Sequence, residues 1–338
     1  MDSAQLNMGG KMPAAAPARQ KGISGSTIKI IAVAAMLIDH IAAAVLMRQI
    51  MANGYMEAAG TDNLASMMNW LMENGLLFSV YSAMRMIGRL GFPIFCFLLV
   101  EGFQRTRDVK KYALRLAAFA LISEIPFDLA FKGEFIYMGY QNVYFTLLFG
   151  LLALCGIDWL SRHKLPKVAQ AFFNVAGVFA PGVYLMAETY GTFKKDLKML
   201  LFTGVLGALL AGVALLIYWK VRGGERTQRF CAELTVLMFC MCVAQALMTD
   251  YGGMGVLTIG VMYFYRKRKV ISVLAGCIVL TIMSVSEITA FFVLIPIALY
   301  NGSRGLKMKY FFYAFYPVHL ALLYLICLWL GLGQIAMP

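Results

Sequence analysis

Asp39 and His40 stand side by side in residues 32–47, a stretch that is otherwise almost wholly apolar. Histidine can act as a general base or a nucleophile near neutral pH, and a neighbouring carboxylate can orient the imidazole or stabilise its cation. Contact within the pair is not assured, because adjacent helical residues point about 100° apart. Asp39 could instead pair with Arg85 or Arg89 of another segment. The pair therefore indicates either a polar packing contact or a catalytic group.

Two arginines and two acids also lie inside apolar segments, each pair four residues apart: Arg85 with Arg89, and Glu124 with Asp128. Residues at this spacing share one helix face. Depth estimates at ~1.5 Å per residue place Arg85 level with Asp128, Arg89 level with Glu124, and His40 roughly 12 Å below the same outer surface. The pattern predicts the ion pairs Arg85–Asp128 and Arg89–Glu124. Such pairs either lock two helices together or also line a polar cavity.

Further polar residues occur near the same depth. His319 follows Pro317 in the last apolar segment, and Tyr316 belongs to a tyrosine stripe beside it. Asn142 begins another segment, and Asp250 precedes two glycines that permit an unwound turn or a close approach. Two of the three histidines of the chain therefore lie in apolar segments. Singly, each of these residues is also compatible with packing or with a membrane boundary.

The segments that carry these residues define the fold class. The chain has 338 residues, of which 61% are hydrophobic and 14% charged, more apolar surface than a soluble domain of this length can bury. Many apolar runs approach the ~30 Å of a hydrocarbon core and lack the period-two alternation of barrel strands. We predict an all-α, polytopic transmembrane helix bundle of about 10–11 spans. The candidate spans are residues 27–47, 79–100, 111–131, 142–160, 167–187, 197–219, 230–249, 251–265, 270–284, 288–300 and 310–333. Those between 251 and 300 are short and are expected to be broken or re-entrant.

The net charge of +13 comes largely from short basic clusters between apolar runs, which is typical of orientation signals rather than of nucleic-acid binding. These clusters are residues 104–111, 161–167, 220–229, 266–269 and 301–309. Placing them in the cytoplasm puts the N-terminus there too, and only residues 188–198 disagree. We predict a multi-pass protein of the cell (inner or plasma) membrane, with the lipid bilayer as a partner and no nucleic acid.

Two other features, the N-terminal residues and the cysteines, give information on the organisation of the chain. Residues 1–26 are rich in small residues, Gly and Pro, and lack the apolar core of a signal peptide. They predict a disordered cytoplasmic tail before a single membrane domain over residues 27–335. The seven cysteines lie in apolar segments without the spacing of a disulfide framework or a metal site, so we predict buried thiols and no metal.

Five stretches together resemble the TraX family, membrane proteins associated with acetylation of F-type pilin. They are residues 28–43 (IKIIAVAAMLIDHIAA), 85–131, 142–154 (NVYFTLLFGLLAL), 250–257 (DYGGMGVL) and 299–325. The closing FYPVHL is also similar, more loosely, to the C-terminal helix of membrane O-acyltransferases that modify surface polysaccharides. The resemblance implies an acetyltransferase that moves an acetyl group from cytoplasmic acetyl-CoA to a membrane or extracytoplasmic acceptor. That acceptor would be a pilin N-terminus or a surface glycan.

The resemblance also suggests roles for the polar residues. His40, with Asp39, would be the general base or a transient acyl acceptor, and His319 a second acid–base candidate. The expected substrate-binding residues are Arg85, Arg89, Glu124, Asp128, Asn142, Asp250 and Tyr316. The two arginines would balance the acids and stabilise the oxyanion of the thioester carbonyl. The residues expected to attract the phosphates of acetyl-CoA are Arg105, Arg107, Lys110, Lys111 and Arg115.

Two other function classes fit the same residues. In a proton-coupled transporter or flippase, Asp39, His40, Glu124 and Asp128 would form a proton relay. The chain contains no internal repeat strong enough to indicate the inverted halves common in transporters. In a non-catalytic membrane assembly factor, the charges would only hold the helices together.

Overall fold

The computed structural model describes residues 21–60, 63–193, 196–306 and 309–335, and the regular elements in these ranges are helices. They are α1 Gly25–Ile41, α2 Met47–Ala52, α3 Tyr55–Gly60, α4 Leu64–Gly88, α5 Gly91–Arg105, α6 Val109–Phe131, α7 Val143–Arg162, α8 Lys167–Phe193, α9 Leu197–Arg222, α10 Gly224–Ala246, α11 Gly252–Phe264, α12 Lys269–Met283, α13 Leu294–Leu299 and α14 Lys309–Trp329. A π-helical turn, Ala42–Leu46, joins α1 to α2, and a 3-10 segment, Val285–Val293, leads into α13. The predicted all-α fold is confirmed.

Seven helical segments of the described chain are long and apolar enough to cross a membrane, which confirms a polytopic bundle. They are Gly25–Ala52, Leu64–Arg105, Val143–Arg162, Lys167–Phe193, Leu197–Arg222, Gly224–Ala246 and Phe311–Trp329. The other four of the eleven candidate spans correspond to α6 and to three shorter apolar helices, Gly252–Phe264, Lys269–Met283 and Val285–Leu299. Helix α6 carries Arg115, Glu124 and Asp128 within its apolar length. The short helices lie where broken helices were predicted.

The N-terminal end of the fold begins earlier than the predicted tail allows. Residues 1–20 of that tail lie outside the described residues. The Ile23 N–H donates to the Leu299 carbonyl at 2.9 Å, and the Ser24 hydroxyl caps α1 by accepting from the Thr27 N–H at 3.3 Å. A tail ending at residue 26 is therefore wrong for its last residues, which pack against residues 299–306.

Three of the five basic connections meet at this same end of the bundle. Arg105 donates to the Gly302 carbonyl at 3.1 Å, and Lys269 donates to the Tyr300 carbonyl. The segment that contains these carbonyls also pairs with Ile23. The start of α1 thus lies beside basic connections, as the predicted topology requires. Which side of the membrane this end faces stays a prediction.

The predicted span 79–100 is divided by a break between α4 and α5. Pro93 has no backbone N–H and cannot continue the helical hydrogen bonds across Arg89, but it fits the first turn of a new helix. Helix α4 also starts at Leu64, fifteen residues before the predicted start of this span at residue 79. The break leaves Arg89 at a helix end facing the bundle, where a charge can find partners.

The helix arrangement separates a central group from a peripheral pair. Helix α1 packs against α4, α5 and α14, while α6 packs against α7 and α14. Helix α11 lies between α5, α7, α10 and α12. Helices α8 and α9 contact mainly each other and α10, through backbone contact at Gly182 and Gly207. The polar residues predicted from sequence belong to the central group.

Candidate active site

His40 and His319 are joined by a hydrogen bond at the centre of the bundle. His40 Nδ1 lies 2.7 Å from His319 Nε2, and the two rings are nearly parallel at 8°. His319 Nδ1 lies 2.7 Å from the Phe315 carbonyl, so this nitrogen must carry a proton and donate. Nε2 of a neutral His319 is then an acceptor, which makes His40 Nδ1 the donor. The hydrogen-bond pattern assigns the protons of the neutral pair in this way. Nε2 of His40 is left unprotonated and makes no hydrogen bond with the described residues.

A small cavity lies beside His40 and has a volume of about 50 Å³. We call it the histidine cavity. Its polar wall consists of Asp39, His40, Asp250, Tyr251 and Tyr316, and Phe92 and Phe95 are part of its apolar wall. Tyr316 is buried and meets both imidazole rings edge-on, with centroid separations of 5.8 Å and 5.6 Å. Four of the residues predicted as catalytic or substrate-binding therefore face one cavity together with Tyr251.

Asp39 pairs with Arg85, the alternative that the sequence left open. Its Oδ2 lies 2.5 Å from Arg85 Nη1, while its buried Oδ1 has no partner among the described residues. Gly88 makes this approach possible, because a Cβ at that position would collide with the Asp39 carboxylate. Asp39 is thereby fixed beside His40 with one oxygen uncommitted.

The predicted ion pairs Arg85–Asp128 and Arg89–Glu124 are wrong. Arg89 instead pairs with Glu287 at 2.8 Å, a carboxylate whose side chain is 1% exposed. The physical reason is helix packing: α4 lies against α1 and the 3-10 segment, whereas α6 lies against α7 and α14. Equal depth along two helices does not determine which helices are neighbours, and the level of these residues in the membrane stays a prediction.

Glu124, Asp128 and Asn142 form a separate polar group that does not line the histidine cavity. The Asn142 amide donates to Glu124 and to the Ala120 carbonyl, and its oxygen caps α7 by accepting from the Tyr144 N–H at 3.0 Å. Asp128 accepts from the Tyr137 N–H at 2.8 Å. These contacts fix the start of α7 and the connection before it, so the structure does not bring the two acids to His40.

A strained turn places Asp250 and Tyr251 in the cavity wall. Tyr251 has a left-handed backbone (φ +64°) and stacks face to face on Phe92 at 3.7 Å. The Asp250 N–H donates to the Gln141 carbonyl at 2.8 Å, and its carboxylate accepts from the Tyr140 hydroxyl at 2.7 Å. The sequence indicated an unwound turn through its glycines but not the contribution of Tyr251 or Tyr140. Non-glycine residues hold such a conformation only where the surroundings impose it.

The residues predicted to bind the donor are dispersed. Arg115 alone lines a second and larger cavity near the basic end of the bundle. Arg105 is engaged with Glu101 at 3.2 Å, and Lys111 pairs with Asp108 at 3.3 Å. Arg107 and Lys110 are exposed at the surface. The five residues therefore do not line one cavity of the described chain, and their attraction for the phosphates of acetyl-CoA stays a prediction.

Arg48 is a buried cation that is not among the predicted site residues. It is fully buried, and it donates to the carbonyls of Ala44 at 3.0 Å, Leu129 at 3.0 Å and Ala130 at 2.5 Å. Two of these carbonyls belong to the last turn of α6, whose acceptors have no partner within the helix. Arg48 thus ties the end of α1–α2 to α6. An arginine eight residues after His40 in the same apolar run was the available signal.

Comparison with known proteins gives three results. The model of the TraX protein family matches residues 24–191 and 177–327, which contain Asp39, His40 and His319. The probable fimbrial assembly protein FimC, serogroup H1, of Dichelobacter nodosus is 27% identical over 255 residues, which cover 72% of this chain and 82% of that protein. No solved structure matches the chain.

Proposed function

The chain belongs to the TraX family, and from this premise we propose that it is an acetyl-CoA-dependent acetyltransferase of the bacterial inner membrane. The relative named as a probable fimbrial assembly protein supports an acceptor at the cell surface, either a pilin subunit or a surface glycan. The N-terminus and the basic connections would face the cytoplasm, where acetyl-CoA is made, and the acceptor would arrive from the other side or from the membrane.

The observation that carries this proposal is the state of His40. Because His319 Nε2 accepts from His40 Nδ1–H, the proton of His40 stays on Nδ1. The unprotonated Nε2 of His40 can then act as a general base next to the histidine cavity. The acceptor amine or hydroxyl would give its proton to Nε2 while it attacks the thioester carbonyl carbon. The new C–N or C–O bond forms, the C–S bond breaks, and the CoA thiolate leaves and takes the proton from His40.

The neighbouring groups suit the charges that develop in this step. His40 becomes an imidazolium when it accepts the proton, and Asp39, whose Oδ1 is uncommitted, stands beside it in the same cavity wall. The thioester oxygen becomes negative in the tetrahedral intermediate and needs donors. Arg85 and Arg89 are engaged with Asp39 and Glu287, so the Tyr251 and Tyr316 hydroxyls replace them as the proposed donors.

The proposal differs from the proton-relay alternative in a structural respect. That relay needs Asp39, His40, Glu124 and Asp128 to be continuous, but the two α6 acids do not line the histidine cavity. The acids nearest His40 are each held by a partner, Asp39 by Arg85 and Asp250 by Tyr140. No observation of the described residues favours transport over transfer.

The test uses purified protein in liposomes with radiolabelled acetyl-CoA and membrane or pilus extracts as acceptor, followed by mass spectrometry of the labelled product. Loss of a general base reduces turnover by roughly 10²- to 10⁴-fold. We expect that loss for His40→Ala and none for His163→Ala, since His163 lies on the exposed basic connection after α7. Full activity of His40→Ala would overturn the assigned base. Failure of the wild type to consume acetyl-CoA, together with proton-driven flux, would replace transfer by transport.

A further inference from the structure

A second cavity opens at the basic end of the bundle and has a volume of about 290 Å³, close to the lower limit of ~300 Å³ for small-molecule sites. We call it the basic cavity. Its walls come from α1, α5, α6, α7, α14 and the segment after α13. That segment is tied to the start of α1, because the Gly25 N–H donates to the Ser303 carbonyl at 2.8 Å and the Leu306 N–H donates to the Ser26 hydroxyl at 3.1 Å. The mouth of the cavity is thus a built part of the fold.

Three cations line this cavity: Lys29 of α1, Arg115 of α6, and Arg304. No carboxylate among the described residues lies within ion-pair distance of any of them. Lys29 lies over the Phe312 ring at 5.5 Å, and Arg115 lies 5.9 Å from the Tyr112 ring centroid with a buried Nε that has no partner in the described chain. Three converging cations without counter-charge favour an anionic ligand, and phosphate groups match guanidinium donors well.

The basic cavity and the histidine cavity share a wall. Phe95 lines both of them. Tyr144 lines the basic cavity and packs edge-on, at 5.0 Å, against Tyr316 of the histidine cavity. Phe95 and the Tyr144–Tyr316 contact therefore connect the linings of the two cavities. A slender ligand that displaced the Phe95 ring would pass from one to the other.

The distance between the cations and His40 constrains the ligand. Lys29 and His40 are both on α1 and eleven residues apart, which corresponds to roughly 16 Å along the helix. A donor anchored by phosphate at the mouth must therefore carry its acyl group on a long and narrow arm. Acetyl phosphate, with phosphate and acyl group directly joined, cannot reach both points, whereas a phosphopantetheine thioester can.

We propose that the basic cavity binds the phosphates and the pantetheine arm of a CoA thioester, with Lys29 and Arg115 on the phosphates and Phe95 as the gate to His40. The inference rests on the proposed function for the direction of the arm. It replaces the exposed residues Arg107 and Lys110 by Lys29 and Arg304 as partners of the donor. The histidine cavity then receives only the acyl group. Its volume of about 50 Å³ is small beside the 290 Å³ of the basic cavity, which suits a short acyl group better than the phosphates or the pantetheine arm.

The test is binding of CoA itself, measured by equilibrium dialysis of the detergent-solubilised full chain with radiolabelled CoA. Loss of one charged hydrogen bond weakens binding by roughly 10- to 150-fold. We expect this for Lys29→Gln and for Arg115→Gln. The matched controls Arg107→Gln and Lys110→Gln, at the same end of the bundle but exposed, should bind within about twofold of wild type. Thermal unfolding of each variant reports whether it is folded.

The gate requires a second measurement. Phe95→Trp should keep CoA binding but lose transfer, because a larger ring at the shared wall blocks the arm and not the phosphates. His40→Ala should bind CoA like wild type. Unchanged CoA affinity in both Lys29→Gln and Arg115→Gln, or weaker binding in the two exposed controls, would overturn the site. CoA binding that depends on Lys29 and Arg115 in a protein without transfer activity would leave the site standing and refute only the proposed function.

Discussion

Replacement of His319 tests whether His40 is the base and His319 only fixes its tautomer. In the structure His319 does not face the acceptor as a base, since its Nε2 accepts from His40 and its Nδ1 donates to the Phe315 carbonyl. In the proposed mechanism, His319 holds the proton of His40 on Nδ1. His319→Ala removes that acceptor and lets His40 exchange between its two neutral tautomers, one of which has no base at the cavity.

The size of the effect follows from the hydrogen bond that is lost. A neutral hydrogen bond contributes about 0.5–1.5 kcal/mol net, so His319→Ala should slow transfer by roughly 2- to 13-fold. Loss of the base itself should cost roughly 10²- to 10⁴-fold. His319→Gln keeps a side-chain acceptor at a similar reach and should recover much of the loss. If His319 is a positioning residue, the transfer rate should therefore fall in a graded series, from wild type to His319→Gln to His319→Ala.

Nitrogen NMR provides a readout that does not depend on activity. The chain has only three histidines, and His163→Ala removes the one outside the site, so a sample labelled with ¹⁵N-histidine gives assignable signals. We expect His40 in the wild type to show a protonated Nδ1 and an unprotonated Nε2, and a mixture of tautomers in His319→Ala. Two results would refute the reasoning: a His319→Ala defect as large as that of His40→Ala, or a wild-type His40 protonated at Nε2.

Three further predictions concern the surroundings of the site. Gly88→Ala should destabilise the protein by about 1–3 kcal/mol, seen as a lower unfolding temperature, because the new Cβ collides with Asp39; Gly75→Ala, on the same helix with nothing within 4 Å, is the control and should not destabilise. Asp39→Asn should cost up to about 3–5 kcal/mol by leaving Arg85 without its carboxylate, and adding Arg85→Gln should recover part of this; no recovery in a denaturation series would mean that the ion pair is not what stabilises α1 on α4. Phe95→Ala should open the wall between the two cavities and raise the rate of the proposed transfer from propionyl- or butyryl-CoA relative to acetyl-CoA; an unchanged ratio in competition assays would argue against the gate.

The sequence was sufficient for the fold class, because composition and the lengths of the apolar runs decide it, whereas the level of the polar residues in the membrane stays a prediction. Asp39 and His40 were identified from their cost in an apolar segment, and the alternative pairing of Asp39 with Arg85 is confirmed. The predicted ion pairs Arg85–Asp128 and Arg89–Glu124 were wrong, because the depth of a residue does not determine which helices are neighbours. The hydrogen bond of His40 with His319 spans 279 residues and depends on the packing of α1 against α14, which no local pattern encodes.

The cation predictions illustrate a second limit. Basic residues near the end of a span all look alike in sequence, since orientation signals and ligand partners use the same residue types. The structure separates them by burial and by pairing: Lys111 has Asp108, Arg105 has Glu101, and Arg115 has no acidic partner in the described chain. Lys29 lies in the first turn of the predicted span 27–47 and was not among the residues predicted to attract the donor. Its proposed role as a ligand partner is visible only in the folded structure, where Lys29, Arg115 and Arg304 line the same cavity.

The link between the first and last long helices also has a consequence for biogenesis. Translation at about 5–20 residues per second needs roughly 14–56 s to cover the 279 residues between His40 and His319. During that interval the growing chain has inserted α1 but lacks the helix that fixes the His40 tautomer, and Lys29 lacks Phe312 on the same late helix. A nascent or truncated chain therefore has the His40 imidazole without the His319 contact on which the proposed transfer depends. We therefore expect insertion of α14 to be the step that completes the proposed site.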